Sequence, residues 1–262
     1  MTLVTLGPAG PFSHELAARL DSDIRLRPSI AAVFAAVASG EGDGLVPLEH
    51  SAAGSVGATL VGLADHPVTI TGECTIPVRH HLAVADPSRT PGRVYAHPQT
   101  AEQCSRRIEA LDLPVVPTAS NAASAIAARD DPSGAALVSE GLAALYGLAV
   151  LERDCQNSDA NETRFVRIAR EPAAPPPAPC RASLLLDPLE DRAGLLHALL
   201  EPFAARGLSL SRIESRPSRR GLGRYVFYVD GDYGPGWDDA VVELGRLCTV
   251  KDLGRYGGLE LP

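Results

Sequence analysis

The sequence predicts an α/β chain in two unequal parts, and three observations carry the prediction. Short apolar runs alternate with helix-like segments from residue 1 to about 170. The proline-dense stretch Glu171-Pro-Ala-Ala-Pro-Pro-Pro-Ala-Pro179 then breaks every periodicity and reads as a semi-rigid linker. Beyond it, residues 180–262 read strand, helix, strand, strand, helix, strand, the ferredoxin-like βαββαβ plan.

The elements follow in order. Leu3–Leu6 is an apolar run closed by Gly7-Pro8, and Ser13–Leu20 has helical spacing with Ser13 as its cap. Ile24–Arg27 is extended. Ile30–Ala38 is an alanine-rich helix that Ser29 caps, and Asp43–Pro47 returns to strand. Strands follow at Val68–Ile70, Leu82–Val84 and Val94–Ala96, then a helix at Thr100–Leu111, a strand at Val115–Pro117 and a helix at Asn121–Arg129. Ala135–Val138, a helix at Ser139–Tyr146, Ala149–Leu151 and Thr163–Ile168 complete the first part. Such alternation predicts a largely parallel sheet; periodicity leaves one sheet and two lobes equally open. In the second part the strands are Arg181–Leu186, Leu208–Glu214, Arg224–Asp230 and Val250–Leu253. The helices are Ala193–Arg206, ended by Gly207, and Trp237–Cys248.

Composition excludes several classes. With 262 residues and 45% hydrophobic content, the chain can bury a sizeable core. No apolar run approaches the roughly 20 residues that span a bilayer, and the N-terminal segment reads as a first strand, not an export signal. A net charge of −8, with Lys251 the only lysine, argues against nucleic acid as a partner. Five dispersed cysteines without a CxxC read as reduced thiols of a cytoplasmic protein.

Several segments hold chemistry-bearing residues. The glycine-containing loop from Gly7 to Ser13 joins a strand to a helix, where free N–H groups suit an anion. Glu49-His50-Ser51 sets a base beside a hydroxyl, yet neighbours on an extended segment face opposite ways, and no G-x-S-x-G elbow is present. His80-His81 lacks a third ligand at metal spacing. His97-Pro98-Gln99 reads as a rigid turn starting a helix.

Taken together, Gly7-Pro-Ala-Gly-Pro-Phe-Ser13, Pro47-Leu-Glu-His-Ser51 with Gly54-Ser-Val56, Tyr95-Ala-His-Pro-Gln99 with Gln103-Cys104, and Asn161-Glu-Thr-Arg-Phe165 resemble the prephenate dehydratases. Past the linker, Asp191-Arg-Ala-Gly-Leu195 and Ile213-Glu-Ser-Arg-Pro217 are similar to the effector motifs of that family's ACT domain. The resemblance implies a catalytic unit at 1–170 with a type II periplasmic-binding-protein-like fold. Its two lobes enclose a cleft: one spans residues 1 to 76 plus a return near 155–170, the other lies between. An ACT regulatory domain follows at 180–262. It further implies a lyase that takes prephenate to phenylpyruvate, with no metal or organic cofactor, phenylalanine as effector, and a homodimer or homotetramer.

Residue by residue, the resemblance implies that Thr163 is the catalytic hydrogen-bond donor to the departing ring hydroxyl. Arg164 offers a fork for a carboxylate, and Phe165, Ser13, His50, Ser51, Ser120 and Asn121 join it at the substrate. Gly194, Leu195, Glu214, Ser215 and Arg216 would hold the effector. Four positions depart from the family pattern: Pro11 stands where Thr or Ser is usual, His50 where Asn is, Asn121 where Thr is, and Leu195 where Ala is. Arogenate dehydratase is the alternative within the same chemistry, and a non-catalytic small-anion binder the alternative outside it. A fused chorismate mutase is not expected, since the chain opens on the first dehydratase strand.

Overall fold

The computed structural model describes residues 2–8, 12–174, 176–177, 180–221 and 223–261. Pro11 and linker residues 175, 178 and 179 lie outside the described residues. The chain runs β1 (Leu3–Leu6), α1 (Phe12–Leu20), β2 (Ile24–Arg27), α2 (Ile30–Ala38), β3 (Asp43–His50), β4 (Gly54–Ser55), α3 (Gly57–Asp65) and β5 (Thr69–Pro77). It then crosses to β6 (His81–Val84), β7 (Arg93–Ala96), α4 (Pro98–Gln103), α5 (Ser105–Leu111), β8 (Val115–Pro117), α6 (Asn121–Asp130), β9 (Gly134–Val138), α7 (Glu140–Leu145) and β10 (Ala149–Glu152). β11 (Glu162–Ala169) returns to the first sheet. The last part is β12 (Arg181–Pro188), α8 (Leu195–Ala204), β13 (Leu210–Pro217), β14 (Tyr225–Asp232), α9 (Trp237–Leu244) and β15 (Cys248–Tyr256).

Three sheets result. The first has order β2-β1-β3-β11-β5, with β4 paired to β3; the second is β10-β6-β9-β7-β8; the third is β13-β14-β12-β15. The first part is therefore two lobes, joined by the crossings between β5 and β6 and between β10 and β11. Neither lobe is the largely parallel sheet that alternation predicts. β1 pairs parallel with β2 and β3, but β11 runs antiparallel to both β3 and β5. Likewise β6 is antiparallel to β9 and β10. A strand that enters a sheet from the other lobe needs no crossover helix and so escapes the rule that makes βαβ units parallel.

Local chemistry explains the helix that positions the site. α2 begins where the Ser29 hydroxyl accepts from Ala32 N at 3.2 Å and buries Val33, Phe34, Ala36 and Val37. α3 has no side-chain cap and carries Gly57 and Gly62. It was not foreseen from the sequence, because glycine is a poor helix former. Gly62 is required by packing: a Cβ there would stand 2.3 Å from the Phe34 ring. Tertiary contact overrides propensity here, since α3 is held from outside. Tyr228 donates its hydroxyl to the Leu60 carbonyl at 2.6 Å. The lone lysine, Lys251, donates to the carbonyls of Leu63, Ala64 and His66 at 2.6, 3.1 and 2.7 Å, capping the helix C-terminus with a cation.

Those two anchors come from the third sheet, and the core shows why. One apolar cluster runs through Val33, Phe34, Leu60, Leu63, Ile70 and Val166 into Leu185, Tyr228, Leu253 and Tyr256. The other face of the third sheet packs Leu184, Leu199, Phe203, Val229 and Trp237 beneath α8 and α9. The C-terminal module thus lies flat on the first lobe. Where β15 meets β5, Gly254 has φ +121 and a Cβ would be 2.2 Å from the Ile70 carbonyl oxygen, so the two backbones touch.

Candidate active site

Between the lobes lies a cleft of about 700 Å³. Ser51, Ala52 and Ala53 line it from the β3–β4 turn, Gln99, Glu102 and Gln103 from α4, and Asn157, Ser158, Ala160 and Asn161 from the segment returning to β11. Glu102 is the one charged residue among the described lining; its other polar side chains are amides and hydroxyls, and Ala52, Ala53 and Ala160 complete the wall. An anion bound here is met by neutral donors.

Antiparallel pairing of β3 with β11 builds the inner end of this cleft. Register sets Thr163 opposite His50 and Arg164 opposite Glu49. Because strand neighbours alternate in face, the two pairs point to opposite sides of the sheet. On one side the His50 imidazole Nδ1 lies 2.8 Å from the Thr163 hydroxyl. Thr163 is buried and His50 half-buried; burial pulls the imidazole below its usual titration range. Ser51 ties the strands beyond them, donating to the Ala160 carbonyl at 2.8 Å and accepting from Glu162 N at 2.9 Å.

On the other side the outcome differs from expectation. In place of a fork open to substrate, the Arg164 guanidinium is occupied. It donates to Glu73 at 2.6 Å, to Asp230 at 2.8 Å and to the Tyr256 hydroxyl at 3.0 Å. Asp230, 1% exposed, also accepts from Ser183 at 2.7 Å and from Arg212 at 2.9 Å. Burial alone would raise the Asp230 carboxyl, but Arg212 and Arg164 outweigh it and hold the group ionised. Arg164 thus joins the first lobe to the C-terminal sheet, directly behind Thr163.

The other residues expected at the substrate take the following places. Phe165 does not face the cleft; it is 2% exposed among Leu3, Leu16, Ala17, Leu45 and Cys74, as an inward strand aromatic should be. Ser120 is the cap of α6, accepting from Ala123 N at 3.1 Å, and Asn121 accepts from the Thr100 hydroxyl at 2.8 Å. Neither is among the cleft residues; Thr163 and His50 also lie just behind the lining, reached through their chain neighbours Asn161 and Ser51. Ser13 is buried in α1. His80 and His81 are buried hinge residues. The first has Nε2 3.0 Å from Gln103 Oε1, and the second accepts from Asp154 N at 3.1 Å. His97 caps α4 through its Nδ1 and Gln99 N, as the rigid-turn reading implies. Across the hinge the Glu15 carboxylate accepts from Ser139 at 2.6 Å, tying α1 to the start of α7.

The expected effector residues divide. Gly194 starts α8 with φ 76, and Leu195 lines a small hollow with Glu190, Asp191, Arg224 and Phe227. Glu214 and Arg216 sit elsewhere in this chain, on the face of β13 turned toward the first lobe. Glu214 lies 3.3 Å from the Ser55 hydroxyl, Arg216 packs over Gly57, and Ser215 is exposed. Sequence reasoning passed over Gln99, Gln103 and Asn157 as cleft residues, although Gln99 and Gln103 lie in motifs already singled out. It also passed over Glu73, Ser183, Arg212, Asp230 and Tyr256, which no local spacing connects.

Fold and site together define a two-lobed, cleft-bearing α/β unit fused to a βαββαβ module. The chain belongs to the prephenate dehydratase family: the family model described as prephenate dehydratase matches residues 3–173, and that of the ACT domain matches residues 188–232. A prephenate dehydratase of Bacillus subtilis is 31% identical, over 98% of each chain. A bifunctional chorismate mutase/prephenate dehydratase of Stutzerimonas stutzeri is 34% identical over 86% of this chain, which spans 63% of that protein's length. Among solved structures, prephenate dehydratase in complex with L-Phe from Arthrobacter aurescens matches with TM-score 0.88 at 29% identity, covering 100% of this chain and 93% of the other. A protein described as a quorum quenching acylase, GqqA, also reaches TM-score 0.88, at 26% identity, covering 99% and 98%.

Proposed function

We propose that the protein is a carbon–oxygen lyase that converts prephenate to phenylpyruvate, carbon dioxide and water, with phenylalanine acting through the ACT domain. The neighbour named as an acylase has the same fold, so the fold does not choose the reaction. The observation that carries the reading is the buried Thr163 hydroxyl, set by β3–β11 pairing at 2.8 Å from His50 Nδ1 beside the cleft.

Prephenate is a dianion with two carboxylates and a ring hydroxyl. Decarboxylation releases an electron pair into the ring as the hydroxyl departs, and aromaticity drives the change. The products carry one negative charge, so the reaction consumes one proton. A donor aimed at the departing oxygen is the catalytic need, and Thr163 supplies it. Gln99, Gln103 and Asn161 offer neutral amide donors for the carboxylates, while Ser51, whose hydrogen goes to the Ala160 carbonyl, holds the turn in place.

The reading extends to a cytoplasmic homodimer or homotetramer that works without metal or organic cofactor. Phenylpyruvate formation by the purified protein, from prephenate and in parallel from arogenate, with and without phenylalanine, is the test. Turnover of prephenate is expected, and loss of at least 100-fold in Thr163→Ala with its melting temperature kept, the scale of a lost general acid. No product from prephenate would overturn the reaction, and near-normal turnover in Thr163→Ala would remove the donor. Preference for arogenate would reassign the substrate.

A further inference from the structure

We propose that His50 is a positioning residue that acts through Thr163, aiming its hydroxyl hydrogen at the departing oxygen and returning the proton it gives up. This rests on the dehydratase reading above. The family pattern has Asn at this position, which can hold a threonine hydroxyl by an N–H donor but cannot release a proton; the chain carries an imidazole there instead.

The geometry gives the sequence of events. With hydrogen on Nδ1, the ring donates to Thr163 Oγ1 across 2.8 Å. That occupies a lone pair of the hydroxyl and leaves its own hydrogen free to point elsewhere. As the ring C–O bond breaks, its electron pair stays with oxygen, and Thr163 gives that oxygen a hydrogen to make water. In the same movement Nδ1–H passes its hydrogen to Thr163, which ends as it began. The C–C bond to the ring carboxylate breaks, its electrons complete the aromatic ring, and CO2 leaves. An imidazolium thereby becomes a neutral imidazole, which recovers its proton from water because the ring is only half-buried. A threonine hydroxyl alone would have to end as an alkoxide, a far poorer outcome near neutral pH.

The surroundings favour ready release. β11 brings Thr163 opposite the ring and Glu162 beside it, exposed; β4 brings Gly54 opposite and Ser55 beside it. Glu49 and Arg164 project from the other face of the sheet, 3.8 Å from each other. Burial lowers the imidazole's proton affinity, which makes the imidazolium a stronger acid and a smaller fraction of the protein at neutral pH.

The test is the pH dependence of kcat for wild type, His50→Asn and His50→Leu, with melting curves for each. Wild-type kcat is expected to fall as pH rises through an inflection below 6.5. His50→Asn should lose that inflection and turn over about 100-fold more slowly on the acid side. His50→Leu, which also loses the N–H donor, should be slower than His50→Asn at every pH; if it fails to fold, the asparagine variant decides alone. An inflection that survives in His50→Asn, or a wild-type profile flat from pH 5 to 8, overturns the relay while leaving the dehydratase reading intact. A wild-type protein inert toward prephenate at every pH overturns that reading and the relay with it.

Discussion

Replacing Asp230 by Asn keeps the shape of the side chain and removes its charge, which isolates what the buried network contributes. Asp230 is 1% exposed and meets two guanidinium groups, at 2.8 Å from Arg164 and 2.9 Å from Arg212. Each pair has an attraction of about 4 kcal/mol at 4 Å between charge centres and an effective dielectric of 20. Desolvation of the charges offsets much of that, so the intact network adds little net stability. Removing its central anion is another matter: two buried cations then face a neutral amide, and breaking a buried pair in this way costs about 3–5 kcal/mol. For a chain of this size, roughly 2–4 °C per kcal/mol, Asp230→Asn should lower the melting temperature by about 6–20 °C. Arg164→Met should also destabilise, and the double variant by less than the sum, because one interaction is lost twice. Thermal unfolding followed by circular dichroism measures all three. A melting temperature within 2 °C of wild type for Asp230→Asn, or strict additivity in the double variant, would refute the argument that this network joins the two domains.

Two further outcomes follow from the same contacts and from burial. Lys251→Met retains the apolar stem but leaves three carbonyls at the end of α3 without their cation. Charge-assisted bonds of this kind contribute about 1.5–3 kcal/mol, so the urea midpoint should drop by a comparable amount divided by the m-value; an unchanged midpoint would show that α3 needs no cap. His50, His80 and His81 all titrate below the usual 6.5 because burial disfavours their charged forms. The unfolded chain therefore binds more protons as pH falls, and stability rises with pH, is fully present above about 6.5 and is lost below it. Glu15, raised by burial, acts in the opposite sense from 4.5 upward, one group against three. Melting temperatures should fall between pH 7.5 and 5.5, and a flat profile would mean that these imidazoles bind protons as readily in the fold as in the unfolded chain.

Much of this molecule was legible in the chain. Alternating apolar runs marked the α/β class, the proline stretch marked the division, and the order of strands and helices after it marked the C-terminal module. Each of these is a short-range property: 2.0 and 3.6 residue periods, Ser29 as a cap, Gly207 as a stop. Thr163 and His50 were legible as candidates too, by type and motif. What a local pattern cannot carry is which residues meet across the sheet. Strand register joined Thr163 to His50, 113 positions apart, and the same register turned Arg164 away from the cleft toward Asp230. α3 was missed for a related reason, since its glycines speak against a helix while Phe34, Tyr228 and Lys251 hold it in place. The sequence by itself determined the elements and the kinds of side chain available. Tertiary structure alone decided which face each would occupy, because a strand alternates sides at every residue and only its neighbours say which side is the cleft.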